Sequence, residues 1–222
     1  MNPAPNFNRL ANLYRWMELL TFGPFLSRAR TTFLHQTTAT RRALVLGDGD
    51  GRFTARLLQQ NPTVHVHAVD ASSAMLASLL RRAGSHTPRV QTELADLRSW
   101  QPHTPPQAPP YDLVATHFFL DCLTSEELQS LAARLRPTVS SSALWLVSEF
   151  AVPPGWFGSL VARPVVWGLY LAFGWLTGLA VRTLPDHRSA LCSAGFALQK
   201  RRTWLAGLLI SELWSAGQSD SA

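Results

Sequence analysis

The chain has 222 residues, 46% of them hydrophobic, which suits one domain with a sizeable core and leaves no room for several. Its 20 basic residues outweigh 14 acidic ones, for a formal net charge of +6, yet only Lys200 is a lysine and the pairs Arg41-Arg42, Arg81-Arg82 and Arg201-Arg202 are dispersed. Without a long basic run, no nucleic-acid partner is expected. Cys122 and Cys192 fit no metal spacing and read as reduced thiols. The N-terminus lacks a basic segment followed by an apolar run, so the expectation is a cytoplasmic protein without a secretory signal.

Residues 7–35 repeat apolar side chains at helical spacing (Leu10, Leu13, Tyr14, Met17, Leu20), are broken at Gly23-Pro24, and resume from Phe25 to Leu34. An apolar strand follows, Ala43 to Leu46, and runs into alternating glycines at Gly47, Gly49 and Gly51. Glycines there let the backbone take positive φ and let a ligand approach the main chain. The helix expected over Arg52–Gln60 would aim its first amides at whatever lies over the turn. A second strand, 64–70, ends at Asp70, a place from which a carboxylate can accept both hydroxyls of a ribose. The other reading of Asp70 is the N-cap of a helix over Ala71–Arg82. His65 and His67 on this strand read as face residues rather than metal ligands, because no third ligand is evident, and no metal is expected.

A third strand, 89–97, is expected to end near Asp96, with Trp100 either beside a bound base or over the sheet edge. A proline-rich loop, 101–110, separates it from a fourth strand, Tyr111–Phe119, and Thr124 to Glu127 has the pattern of a capping box opening a helix that Pro137 ends. A fifth strand spans 142–150. The repeated strand–helix order predicts an α/β fold, doubly wound around a mainly parallel sheet of seven strands, with right-handed crossovers. Leu208–Trp214 reads as the seventh and last strand.

The glycine spacing selects among nucleotide cradles. G-x-G-x-x-G fails in both registers, since its sixth place is Arg52 or Thr54. G-x-G-x-G fits, and VLGDGDGRF resembles motif I of the class I S-adenosylmethionine (SAM) methyltransferases. AVDASSAML resembles that family's post-strand motif, and Tyr-Asp-Leu-Val opening the fourth strand and Gly195-Phe196 near the end follow the same order. The resemblance covers Ala43 to Trp214. It implies SAM as cofactor, with S-adenosylhomocysteine as product, and an antiparallel insertion of the last strand. It also implies a binding set of Gly47, Asp48, Gly49, Gly51, Asp70, Ala71, Met75, Asp96, Leu97 and Thr116, with Tyr14 on an N-terminal lid. One departure stands out: Val45 occupies the place where motif I usually carries an acid, and Asp48 or Asp50 is left to compensate.

For transfer to a hydroxyl, a base near the methyl should assist. His117, at the end of the fourth strand, is the candidate, with Glu149 and Asp121 in reserve. The expected organisation is a single methyltransferase-like domain over 1–222: a helical lid (1–40), a cofactor-binding core (41–150), an apolar helical insert (151–187), a C-terminal helix and strands (188–216) and a tail (217–222). Val165–Val181 is uncharged over 17 residues. It is read as a cap over an apolar acceptor pocket, as a packing or homodimer helix, or as part of a peripheral membrane contact through 151–182. The expected activity is methyl transfer to a small, lipophilic or aromatic acceptor. The alternative is a degraded methyltransferase fold serving as a binding or assembly subunit.

Overall fold

The computed structural model describes residues 24–102, 108–156, 158–168 and 185–217. The first expected helix, including Tyr14, and most of the uncharged stretch 165–181 lie outside the described residues. Helix α1 (Pro24–Thr31) precedes β1 (Arg42–Leu46), and α2 (Arg52–Gln60) follows it with the expected limits. β2 (His65–Asp70), α3 (Ser73–Ala83) and β3 (Val90–Leu94) come next. They are followed by β4 (Tyr111–His117), α4 (Ser125–Leu135) and β5 (Val139–Phe150). A helical stretch, 158–168, opens on a π turn over Gly158–Ala162. α5 (His187–Ser193), β6 (Phe196–Trp204) and β7 (Leu209–Ala216) complete the chain.

The seven strands lie in the order β3-β2-β1-β4-β5-β7-β6, parallel from β3 to β5, with β7 antiparallel to both β5 and β6. The expected mixed sheet with an inserted antiparallel last strand is therefore the observed one. Two layers bury it. On one face, Phe53, Leu57 and Leu58 of α2 and Leu79 and Ala83 of α3 pack on Ala43, Val45, Leu113 and Ala115. On the other, Leu128, Leu131 and Leu135 of α4 and Leu191 of α5 pack around Trp145 and Trp214. A third cluster joins Leu26 and Ala29 of α1 to Ala162, Val166 and Leu209.

Local chemistry fixes the element ends. Thr124 and Glu127 form the expected capping box on α4, a pairing that contributes about 1 kcal/mol. The Tyr-Asp pair that opens β4 is a register clamp. Asp112 accepts the amides of Arg41 (2.8 Å) and Arg42 (3.0 Å), and the Arg42 guanidinium lies 4.4 Å from the centre of the Tyr111 ring. Tyr111 Oη in turn sits 2.7 Å from Nδ1 of His67, whose Nε2 lies 3.0 Å from Glu93, so His67 is a packed strand residue. Trp100 covers the sheet edge and donates its indole N–H to Glu93 at 2.7 Å. β3 stops at Leu94, three residues short of the expected end at 97, which leaves Asp96 in a turn.

Asn61, just past α2, ties the entry of β1 to the entry of β2. Its amide donates to the carbonyls of Thr37 (2.9 Å) and Thr40 (2.7 Å), and its oxygen accepts from the amides of Thr63 (2.9 Å) and Val64 (3.0 Å). Truncating it strands several buried backbone groups at once. Asn61→Ala is expected to lower the unfolding free energy by roughly 3 kcal/mol or more in urea titration, and a loss under about 1 kcal/mol would contradict the hub role.

Candidate active site

The parallel pairing of β1 with β2 sets Leu46 opposite Val69, so the glycine turn and Asp70 leave the sheet side by side. Gly47 donates its amide to the Val69 carbonyl at 3.0 Å, and all three glycines take left-handed backbone, with φ of 65°, 59° and 80° at Gly47, Gly49 and Gly51. They are glycine for different reasons. A Cβ on Gly47 would stand 2.5 Å from the Phe119 ring, and one on Gly51 would stand 2.7 Å from the Leu79 backbone. One on Gly49 would meet only Met75 Sδ, at 4.0 Å. Gly47 and Gly51 thus serve the protein's own packing, while the space over Gly49 is open.

The turn's acids are both engaged. Asp48 reaches forward to cap α2, accepting the amides of Phe53 (3.3 Å) and Thr54 (2.8 Å). Burial pushes its carboxyl above the ordinary range, opposed by those hydrogen bonds and by the charge of Arg30. Asp50 pairs with Arg52 at 3.3 Å and Arg82 at 2.6 Å. Val45, in the usual place of the motif acid, is buried among Phe53, Leu57 and Ala115.

Asp70 faces the turn. Its carboxyl accepts the amide of Ser72 at 2.8 Å and the amides of Gly49 and Ala71. Ser72, and not Asp70, is the N-cap of α3, through its hydroxyl and the Met75 amide at 3.2 Å. Burial lifts Asp70 from 3.8 to about 6 against the pull of its three amide bonds, with Asp48 adding to the rise. Asp70, Ala71 and Met75 are therefore gathered around Gly49. Asp96 is held by its neighbour: the Arg98 guanidinium donates to it at 2.5 Å and keeps its carboxyl below the ordinary range. The Leu97 side chain is buried in the core. Thr116 also turns inward, fully buried, and accepts the Trp145 indole N–H at 3.0 Å.

His117 lies on the opposite side of β4 from Thr116. Ser148 Oγ donates its hydrogen to the Ala29 carbonyl at 3.0 Å and stands 3.0 Å from His117 Nδ1. With that hydrogen committed, Oγ accepts from Nδ1–H, and the bare lone pair is on Nε2. Nε2 is buried and has no hydrogen bond. Burial, then the charge of Arg30, lowers His117 to about 3, so the ring is neutral near pH 7. Glu149 latches the turn after β4, accepting the amides of Phe119 (3.1 Å) and Leu120 (2.8 Å), while its second oxygen is buried without a hydrogen bond. Burial and the nearby Asp121 push the Glu149 carboxyl well above the ordinary range, opposed by the amide hydrogen bonds of Leu120, Phe119 and Asp121. Cys122 feels Asp121, Glu149 and Asp70 together, on top of its burial, and its thiol is pushed well up. These carboxyls converge on one place at the carboxyl edge of the sheet.

Arg30 and Ser148 were not legible as site residues. Arg30 lies over the Phe118 ring at 5.0 Å, and Phe118 itself holds φ of 56°, a left-handed bend for which a Phe-Phe pair carries no sequence signal.

The sheet order and the glycine turn define the Rossmann-like fold of class I methyltransferases. Residues 43–140 match the family model described as a methyltransferase domain. Trans-aconitate 2-methyltransferase of Azoarcus sp. is 33% identical over 124 residues, which cover 54% of this chain and 46% of that protein. The chain thus spans about half the length of the curated relative it matches. An O-methyltransferase family protein of Burkholderia thailandensis superposes with a TM-score of 0.69 at 13% identity, over 96% of this chain and 61% of that one. The N-methyltransferase NodS of Bradyrhizobium japonicum does so with 0.58 at 10% identity, over 87% of this chain and 97% of that one. At these identities the structures show the fold. The chain thus has the fold of the class I methyltransferases, and residues 43–140 carry the match to the methyltransferase-domain family model.

The three glycines are separable by experiment. Gly51→Ala combines left-handed strain with a backbone clash and is expected to cost roughly 2–5 kcal/mol of stability. Gly49→Ala is expected to cost only the strain, about 1–2 kcal/mol, and to weaken SAM binding. Equal losses for the two in urea titration would contradict the division of roles.

Proposed function

We propose that the protein is a SAM-dependent methyltransferase acting on a small acceptor. The observation that carries this reading is the Asp70 carboxyl turned onto Gly49, beside the one glycine of the turn with open space above it. A carboxylate there is suited to accept two ribose hydroxyls, and the left-handed turn lets a ligand lie against the main chain. Met75 and Ala71 border the same space. The bound cofactor would supply an electrophilic methyl group on a sulfonium. The protein's part is then to hold an acceptor in line, exclude water and, for a hydroxyl acceptor, take its proton.

His117 suits that last task. It is neutral, its Nδ1–H is fixed by Ser148, and its bare Nε2 lacks a partner. A neutral imidazole beside a cationic arginine is a weak base in the resting protein, so a proton arriving at Nε2 would need an acceptor whose acidity rises as the new bond forms. Glu149 accepts the amides of Phe119 and Leu120 and so positions the turn after β4. Phe119, half-buried against Gly47, puts an apolar ring beside the turn and suits a flat or lipophilic acceptor. A binding or assembly subunit is the second reading. It is favoured by Asp48 and Asp50 both being engaged within the protein, which leaves neither carboxylate to replace the acid missing at Val45.

Calorimetry separates the two readings: a saturable SAM isotherm is expected, and its absence at millimolar cofactor would abandon the enzyme reading. Asp70→Ala is expected to weaken SAM by at least about tenfold, since it removes two hydrogen bonds to a charged group. The pH dependence has a definite sign. Asp70 is ionised above about pH 6 and protonated below it, so SAM affinity should fall as pH drops through 6, and Asp70→Asn should flatten that profile. Because folding raises this carboxyl from 3.8 to about 6, its contribution to stability is present at low pH and lost as pH rises through 6. Asp70→Asn is accordingly expected to be more stable than the parent at pH 7 while binding SAM more weakly. His117→Ala should leave the SAM isotherm intact and lower turnover by about a hundredfold or more on a hydroxyl acceptor. Unchanged turnover would remove His117 from the chemistry.

A further inference from the structure

A second charged concavity lies on the flank of the domain between α1 and α2. It has a volume of about 390 Å³, and four arginines line it: Arg30 from α1, Arg52 and Arg56 from α2, and Arg82 from the end of α3. Thr31 and Gln59 complete the wall with neutral polar groups. None of Gly47, Gly49 or Asp70 lines it, so it is a different place from the space over the glycine turn.

The cluster is held in shape. Asp50 accepts from Arg52 at 3.3 Å and from Arg82 Nη2 at 2.6 Å, and its carbonyl accepts from Arg82 Nε at 2.9 Å. One carboxylate thus draws two guanidinium groups from different helices to one rim. Arg30 forms the inner wall, 7% exposed and stacked on Phe118. Arg56 stands one turn along α2 from Arg52, on the same face and exposed, with no ion pair among the described residues. Four guanidinium groups from three helices thus share one cleft, with the Asp50 carboxylate at its rim.

We infer that this cleft is a binding site for a phosphate group, carried by a soluble phosphorylated molecule or by a lipid headgroup. The donors decide the chemistry. Guanidinium groups present planar forks without acceptors, matched to oxyanions. A carboxylate has two oxygens in one plane and can pair bidentately with one fork. A phosphate presents three oxygens and up to two charges, and so engages several forks from different directions. The volume admits the phosphate together with part of what carries it. The inference does not rest on the methyltransferase reading.

The test uses the full chain and inorganic pyrophosphate as probe, in calorimetric titrations at ionic strength matched with sodium chloride. Saturable binding is expected, weakened at least about tenfold in R56E and, separately, in R82Q. R56E changes an exposed helix position, and its SAM isotherm should match that of the parent. Co-sedimentation with vesicles containing phosphatidic acid, lost in R56E, would assign the phosphate to a lipid headgroup. Pyrophosphate binding without vesicle binding would assign it to a soluble ligand. Either result supports the site. Pyrophosphate heats no larger than those of chloride, or equal affinity in R56E and the parent, would overturn it.

Discussion

The site depends on a single juxtaposition, the Asp70 carboxyl against the Gly49 amide. Parallel register produces it. β1 and β2 pair with Leu46 opposite Val69, so each strand delivers its first loop residue to the same edge. Neither half suffices alone. A glycine turn without the neighbouring carboxyl would be a bend, and Asp70 without the turn would be an Asx contact at a helix entry. The juxtaposition opposes stability, because a carboxyl raised to about 6 by burial is ionised at neutral pH against its surroundings. A carboxyl perturbed in this way beside an open turn is what makes Asp70 a candidate binding group.

The same tension recurs along the carboxyl edge of the sheet. Glu149 is buried with one oxygen unpaired, Asp121 lies close to it, and Cys122 feels both. Burial and the neighbouring Asp121 raise the Glu149 carboxyl, and burial with the same acids raises the Cys122 thiol. Arg30 brings a positive charge to the other side, where it acts on Asp48 and His117. The edge therefore combines a neutral imidazole, a buried carboxyl raised well above the ordinary range and one carboxyl raised to about 6. Such a set of perturbed neighbouring groups suits a site more than a core.

The elements that could be read from the chain are those specified by local chemistry. α2 begins after the left-handed Gly51 and runs to Gln60 as its apolar spacing predicts, and α4 begins at its capping box. The antiparallel last strand was legible only through the family resemblance around Gly195-Phe196. Strand parity was not legible. Thr116 and His117 are adjacent, yet one faces Trp145 in the core and the other faces Phe53, because the pleat sends neighbours to opposite layers. Nor could the chain reveal that Asp48 caps α2 from within the turn, or that Arg98 would engage Asp96. Ser148 and Ala29, which set the tautomer of His117, are 119 residues apart. Contacts of that kind exist only after the sheet has assembled.

The most direct test of the central claim is the amide spectrum of the ¹⁵N-labelled protein during a SAM titration. If the adenosyl group lies over the turn and hydrogen-bonds Asp70, the Gly49, Asp70 and Ala71 amides should shift together and saturate together. Binding that leaves the Gly49 and Asp70 signals unmoved while others respond would contradict the account.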